Sequence, residues 1–426
     1  MGLEMLLLFS PSPEIRSAMN FSMFTKKALW HKNKNLLLPT LCLFCCLQGA
    51  AQQTPAIKDY STVVIGAAQF ETYLPLLKNK RVAVLTNVTG KVGSTSLVDT
   101  LLKLKVKLVK IFGPEHGFRG NVEAGEKVQT SYDKKTGLAV ISLYGKNKKP
   151  SKEQLKNVDV LLYDIQDVGV RFYTYISTLT YAMEACAENN KELIVLDRPN
   201  PNGFYVDGPL LTEEYSSFLG LHPVPIVYGM TTGEYAQMVN GEGWMKTKKK
   251  CRLTIIPLKN YDRKASYLLP DKPSPNLPNS TSILLYPGLG LFEGTIMSLG
   301  RGTEFPFQVI GHPGYPNKDF SFEPKTTSFS SGPKYFNKTC YGLDLRTSNY
   351  LKQHPGKIDL GLLLQLYGEM GREDFFDANF DYHAGNKTLR YQIVAGESEQ
   401  TIRQSWEAGL DLFIAIRKKY LIYQDF

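Results

Sequence analysis

Four apolar strands, each running directly into a polar or glycine-rich loop, constrain this chain more than any other feature of its sequence. Arg81-Val-Ala-Val-Leu-Thr-Asn87 leads into Thr86-Asn-Val-Thr-Gly90, and Val106-Lys-Leu-Val-Lys-Ile-Phe112 leads into Gly113-Pro-Glu-His-Gly117. Asn157-Val-Asp-Val-Leu-Leu-Tyr-Asp164 continues into Asp164-Ile-Gln-Asp-Val-Gly-Val-Arg171, and Glu192-Leu-Ile-Val-Leu-Asp197 into Asp197-Arg-Pro-Asn-Pro-Asn-Gly203. Helical stretches separate the strands: Leu97, Leu101 and Leu104 recur at helical spacing between Ser94 and Lys105, and Tyr175 to Glu188 fits a helix closed by Asn189 and Asn190. Ser151 with Gln154 makes a capping-box pair that opens a shorter helix. Strands alternating with helices predict an α/β fold with a mostly parallel sheet. In such a sheet all four loops emerge at one edge, so Glu115, Asp164, Asp167, Arg171 and Asp197 are expected around a single pocket.

The first 51 residues stand apart. Lys26, Lys27, Lys32 and Lys34 precede Leu36-Leu-Leu-Pro-Thr-Leu-Cys-Leu-Phe-Cys-Cys-Leu47, an apolar run of signal-peptide rather than membrane-span length, and Gly49-Ala-Ala51 supplies small residues for cleavage before Gln52. Residues 1–51 are therefore expected to be a signal peptide, and the protein to be exported, periplasmic or secreted, with no stable membrane span once the leader is removed. Loss of the leader lowers the net charge from +10 to +7. A basic balance with no arginine-rich arm or zinc-finger spacing favours an anionic polymer or surface over nucleic acid as partner. Cys186, Cys251 and Cys340 are widely spaced and odd in number, which suggests neither a disulfide framework nor a cysteine metal site. A domain boundary is expected in the proline-rich stretch from Pro270 to Pro287, giving domains of residues 52–270 and 271–426. In the final helix Ile402, Trp406, Leu410 and Phe413 form one docking stripe.

Glu115 is the leading catalytic candidate, because general-acid chemistry needs a carboxyl group held in a partly desolvated pocket, and the flanking Gly-Pro and His-Gly let backbone approach a ligand closely. His116 can orient that loop, bind substrate or satisfy a core hydrogen bond. Asp164 and Asp167 are candidates for a second catalytic carboxylate, a metal site or structural anchoring. Arg171, Tyr173 and Tyr175 are candidate substrate contacts, since guanidinium pairs with carboxylates and tyrosine faces stack on sugar rings; alternatively Tyr173 and Tyr175 start a helix and pack. Glu234 reads as the capping partner of Thr231, and Gly288-Leu-Gly-Leu-Phe-Glu-Gly294 resembles a dinucleotide fingerprint whose third glycine comes one residue late and far from any βαβ opening. Serine-elbow, Walker, His-Glu-x-x-His and kinase signatures are absent from the sequence.

Phe112-Gly-Pro-Glu-His-Gly117, Asp164-Ile-Gln-Asp-Val-Gly169 with Arg171-Phe-Tyr-Thr-Tyr175, Leu196-Asp-Arg-Pro-Asn-Pro201, Pro273-Ser-Pro-Asn276, Glu293-Gly-Thr295 and Gly300-Arg-Gly-Thr303 occur in that order. Together they resemble the exo-β-N-acetylmuramidases of the NamZ type, which are peptidoglycan hexosaminidases. The resemblance implies a Rossmann-like, mostly parallel sheet domain followed by a smaller α+β C-terminal domain that completes the substrate cleft. It implies release of N-acetylmuramic acid from the non-reducing ends of peptidoglycan fragments, with Glu115 catalytic and without a metal or organic cofactor. Beside Glu115, the expected catalytic carboxylates are Asp164 and Asp167. The expected substrate contacts are His116, Arg171, Tyr173, Tyr175, Asn276, Glu293, Arg301 and Glu304. A two-domain periplasmic muropeptide- or sugar-binding protein without turnover is the competing reading.

Overall fold

The computed structural model describes residues 55–114, 117–119, 131–347 and 356–426. Its centre is a seven-stranded sheet built from β1 (Val82–Thr86), β2 (Leu108–Gly113), β3 (Ser131–Tyr132), β4 (Ala139–Ser142), β5 (Val160–Asp164), β6 (Glu192–Leu196) and β7 (Arg252–Ile256). The spatial order is β7-β6-β5-β1-β2-β4-β3, and every pair is parallel except the antiparallel β3–β4 edge. Without that edge strand the order is the 3-2-1-4-5-6 arrangement of Rossmann folds, and it reverses direction between β1 and β5. The four strands expected from sequence are all present with ends shifted by one to three residues, and the Tyr175–Glu188 helix has the expected limits.

Both faces of the sheet are covered, which is why its strands read as near-continuous apolar runs. Side chains alternate between two cores: Val82 and Val84 join Leu97, Leu101 and Tyr73 on one face, while Ala83 and Leu85 join Phe112, Leu161 and the Tyr175–Glu188 helix on the other. The second core continues into the C-terminal residues Leu363, Phe375, Ile402, Trp406 and Phe413, so the smaller C-terminal part shares this face. The docking stripe of the Glu399–Arg417 helix behaves as expected, with Ile402, Trp406 and Phe413 buried. The C-terminal part adds a three-stranded antiparallel sheet of β8 (Val309–His312), β9 (Ser321–Phe322) and β10 (Cys340–Asp344), with β10 in the middle. Both capping boxes, Ser151 with Gln154 and Thr231 with Glu234, are formed. Among the described residues Cys186, Cys251 and Cys340 are buried free thiols, and no helix is long and apolar enough to cross a membrane.

The glycine-rich block near Tyr286 is helical despite its glycines and proline. Ser280–Leu289 is a helix that contains Pro287, followed by a 3-10 turn over Gly290–Gly294. Proline has no amide to give the carbonyl four residues earlier, which is that of Ile283. The side chain of Asn202 donates to this carbonyl from 3.2 Å, so the helix continues through its proline. Gly290 is required for close packing: a Cβ there would lie 2.2 Å from the ring of Phe172.

Candidate functional site

The direction reversal between β1 and β5 opens a crevice at the carboxyl ends of the strands, and the loops on either side are fastened to each other. Thr86 Oγ1 donates to the carbonyl of Asp164 at 2.8 Å, and the amide of Gln166 donates to Thr89 Oγ1 at 3.0 Å. Asn87 Oδ1 accepts from both the amide and the hydroxyl of Thr89, at 3.0 and 2.6 Å, which tightens the β1 loop. Glycine is obligatory at position 90, because a Cβ would fall 1.8 Å from Thr86 Oγ1.

Above these loops lies a cavity of about 610 Å³. Its walls bring together Asn87 and Val88 of the β1 loop, Tyr175 at the start of the helix after β5, Asp271, Lys272, Pro273, Pro275 and Asn276, and Gly302 to Glu304 from the C-terminal part. A smaller cavity of about 170 Å³ shares Tyr175 and Asn276 with it and is lined by Phe172, Tyr173, Tyr286, Glu293, Arg301 and His383. Of the expected substrate contacts, Tyr173, Tyr175, Asn276, Glu293, Arg301 and Glu304 line one or both cavities. Glu115 and His116 lie outside the described residues. The strand before them ends at Gly113, and beyond them the amide of Gly117 donates to the carbonyl of Pro114 at 3.0 Å.

Glu293 and Arg301 form a two-point ion pair, Nε to Oε1 at 3.0 Å and Nη2 to Oε2 at 3.2 Å. Burial opposes ionisation of Glu293, but the charge and hydrogen bonds of Arg301 outweigh it and hold the carboxyl below the usual range. The Arg301 guanidinium also lies 4.9 Å from the centre of the Phe307 ring. Burial lowers the imidazole of His383, whose ring packs 5.4 Å from Phe172. Tyr173 donates to the carbonyl of Pro273 at 2.6 Å, which fixes its side chain beside the smaller cavity and ties the β5 loop to the proline-rich wall.

The remaining expected site residues form a floor beneath the crevice and line neither cavity. Asp164 is fully buried and receives Arg198 in two-point fashion, Nε to Oδ1 at 2.6 Å and Nη2 to Oδ2 at 3.0 Å. Burial opposes the charge of Arg198, and the adjoining Asp164 carboxylate outweighs it and raises the guanidinium further. Asp167 Oδ2 accepts from the Gly169 amide at 2.7 Å and from the Tyr228 hydroxyl, while its Oδ1 is buried without a hydrogen-bond partner. Burial pushes this carboxyl up to about 6. Asp197 is also pushed up to about 6 by burial, and it organises the neighbouring loop through the Gly233 amide and the hydroxyls of Thr231 and Tyr423, at 2.8, 2.7 and 2.6 Å.

Arg171 corrects the sequence-based expectation most sharply. Its guanidinium is fully buried and donates to three backbone carbonyls: Pro209 and Val224 at 2.9 Å, and His383 at 2.8 Å. Burial lowers it to about 9, so it remains a cation at pH 7. It holds the segment carrying His383 against the β5 loop and is out of reach of either cavity. The single pocket expected from converging loops is thus two layers, a hydrogen-bonded floor of Asp164, Asp167, Asp197 and Arg171 and a cleft above it. His383, Lys272 and Phe329 line the cleft without having been expected there; each sits outside any spacing that marks a site, and only the tertiary fold brings it in. Among the described residues no three His, Cys, Asp or Glu side chains are grouped to hold a metal.

Comparison with known proteins places this chain in a family. Residues 82–281 match the N-terminal sequence model of the exo-β-N-acetylmuramidase NamZ, and residues 284–423 match the C-terminal one. The peptidoglycan β-N-acetylmuramidase NamZ of Bacillus subtilis is 42% identical over 375 residues, which span 82% of this chain and 89% of that protein. Crystal structures of two DUF1343 family proteins from Bacteroides fragilis superpose with TM-scores of 0.80 and 0.72 at 45% and 32% identity, each alignment covering 85% of this chain and 99% of the other. With both family models matched in order and the fold shared across nearly the whole of the solved chains, this protein belongs to the NamZ family of exo-β-N-acetylmuramidases.

Proposed function

We propose that this protein is an exported glycosidase that removes N-acetylmuramic acid from the non-reducing ends of peptidoglycan fragments, with Glu115 as the general acid. The observation that carries the reading is the cleft at the β1/β5 reversal, which draws its walls from both halves of the chain and includes Asn87 and Val88 just after β1, the strand that pairs with the one leading to Glu115. Membership of the family and the activity named for the Bacillus subtilis relative support it. In this mechanism the sugar ring occupies the smaller cavity among Tyr173, Tyr286 and Asn276. Of the two arginines among the expected substrate contacts, Arg301 takes this role: the cationic side of the Arg301–Glu293 pair meets the lactyl carboxylate, and its carboxylate accepts from sugar hydroxyls. Glu115 protonates the departing glycosidic oxygen as positive charge builds at the anomeric carbon. Asp164 and Asp167 hold the loops in register rather than touching substrate. Residues 1–51 act as the export signal. Incubation with peptide-free oligosaccharides ending in N-acetylmuramic acid tests the reading: free N-acetylmuramic acid is expected, whereas a rise in melting temperature without any released sugar would assign the protein to binding alone.

A further inference from the structure

The larger cavity has a feature that the reaction at the terminal sugar leaves unexplained. Its volume of about 610 Å³ is more than three times that of the smaller cavity, and it falls within the roughly 300–1,000 Å³ of organic ligand sites. Five prolines line it (Pro270, Pro273, Pro275, Pro278 and Pro306), giving rigid apolar walls beside the polar Asn87, Lys272 and Thr303. At its rim stands Phe329, whose side chain remains 40% exposed.

An aromatic ring left in water at a cavity mouth has a natural ligand in the apolar face of a sugar, which stacks on it while the hydroxyls stay solvated. The ring is held by its turn. Thr327 and Ser330 exchange backbone hydrogen bonds at 3.0 and 3.3 Å, and the Phe329 amide donates to Thr327 Oγ1 at 3.3 Å. The amide of Lys325 donates to the carbonyl of Gly302 at 2.8 Å, which fastens this turn to the Gly302–Glu304 wall. A preset platform of this kind binds without ordering a loop at the moment of association.

We propose that Phe329 and the proline wall bind the sugar on the leaving-group side of the scissile bond, so that the enzyme recognises the N-acetylglucosamine unit next to the terminal N-acetylmuramic acid. This rests on the glycosidase reading above and adds to it a determinant of substrate length. The inner cavity takes the departing end residue, and the outer one holds the chain that remains.

Two substrates separate the two statements. The disaccharide of N-acetylmuramic acid β-linked to N-acetylglucosamine fills both cavities, whereas β-N-acetylmuramyl fluoride has a leaving group too small to reach Phe329. For Phe329→Ala the ratio of kcat/KM on the disaccharide to that on the fluoride is expected to fall about tenfold, mainly through KM, and Phe329→Trp to restore it. An unchanged ratio, or equal losses on both substrates, would overturn the proposal. Failure of the unaltered protein to release sugar from either substrate would instead overturn the glycosidase reading. Because Phe329 is exposed, its replacement is expected to leave the thermal melt in place, which the same samples check.

Discussion

Replacement of Asp167 by asparagine has an effect on stability whose sign and size follow from the floor beneath the cleft. Burial raises the Asp167 carboxyl from its ordinary 3.8 to about 6 in the folded protein. The folded state therefore binds a proton more tightly than the unfolded chain, so the stability contributed by this group is complete below pH 3.8 and is lost as pH rises through 6. Two pKa units correspond to about 3 kcal/mol in all, of which about 2 kcal/mol falls between pH 4.5 and 7.5. In the Asp167→Asn variant the amide side chain keeps a carbonyl oxygen for the Gly169 amide and the Tyr228 hydroxyl but does not titrate. The expectation concerns the difference between the two proteins, because Asp197 and every other titrating group contribute equally to both. Urea unfolding of each protein at the two pH values gives that difference. The variant should gain about 2 kcal/mol on the unaltered protein as pH rises from 4.5 to 7.5. A difference that stays constant with pH, or moves the opposite way, would refute the placement of Asp167 in a closed floor and return it to the cleft as an ionised carboxylate.

Two further substitutions test the packing around the site. Gly290→Ala drives a methyl group into the Phe172 ring, which in turn packs on Tyr286 and His383 of the inner cavity; a stability loss of about 1–3 kcal/mol with a lower kcat/KM is expected, and an unchanged melt would contradict the close approach. Arg171→Lys replaces a fork serving three carbonyls with a single ammonium, so a loss of about 2–4 kcal/mol is expected by thermal or urea unfolding. The preference for N-acetylmuramides over N-acetylglucosaminides should survive the Arg171→Lys change, because Arg171 faces neither cavity; loss of that preference in folded protein would restore Arg171 as the carboxylate receptor.

The sheet was legible in the sequence because strands covered on both faces must be apolar throughout and must then break abruptly, as they do at Thr86, Gly113, Asp164 and Asp197. The short β3 and β4 carry too few residues to announce a period. The helix through Pro287 was hidden because its missing hydrogen bond is made good by Asn202, from a distant part of the chain. For the site, the sequence marked the loops around the crevice but not the direction of their side chains. Asp164, Asp167 and Arg171 stand beside cleft residues in sequence, yet each is held downward or inward, by Arg198, by Tyr228 and by backbone carbonyls respectively. A charged residue in a loop beside a cleft can serve the loop itself, and only the partner that meets it tells the two roles apart. Tyr173, Tyr175 and Asn276 could be named from their motifs because short, rigid segments flank them. Phe329 could not be, since an isolated aromatic residue in a polar turn has no pattern of its own.

The most direct test of the account is product analysis with the unaltered protein and Glu115→Gln side by side, on oligosaccharides ending in N-acetylmuramic acid. Loss of a general acid removes roughly 10²–10⁴-fold in rate, so the unaltered protein should release free N-acetylmuramic acid and the variant should release it at least about a hundredfold more slowly while still folding. Turnover by the variant close to that of the unaltered protein would contradict the role given to Glu115 and with it the chemistry assigned to this cleft.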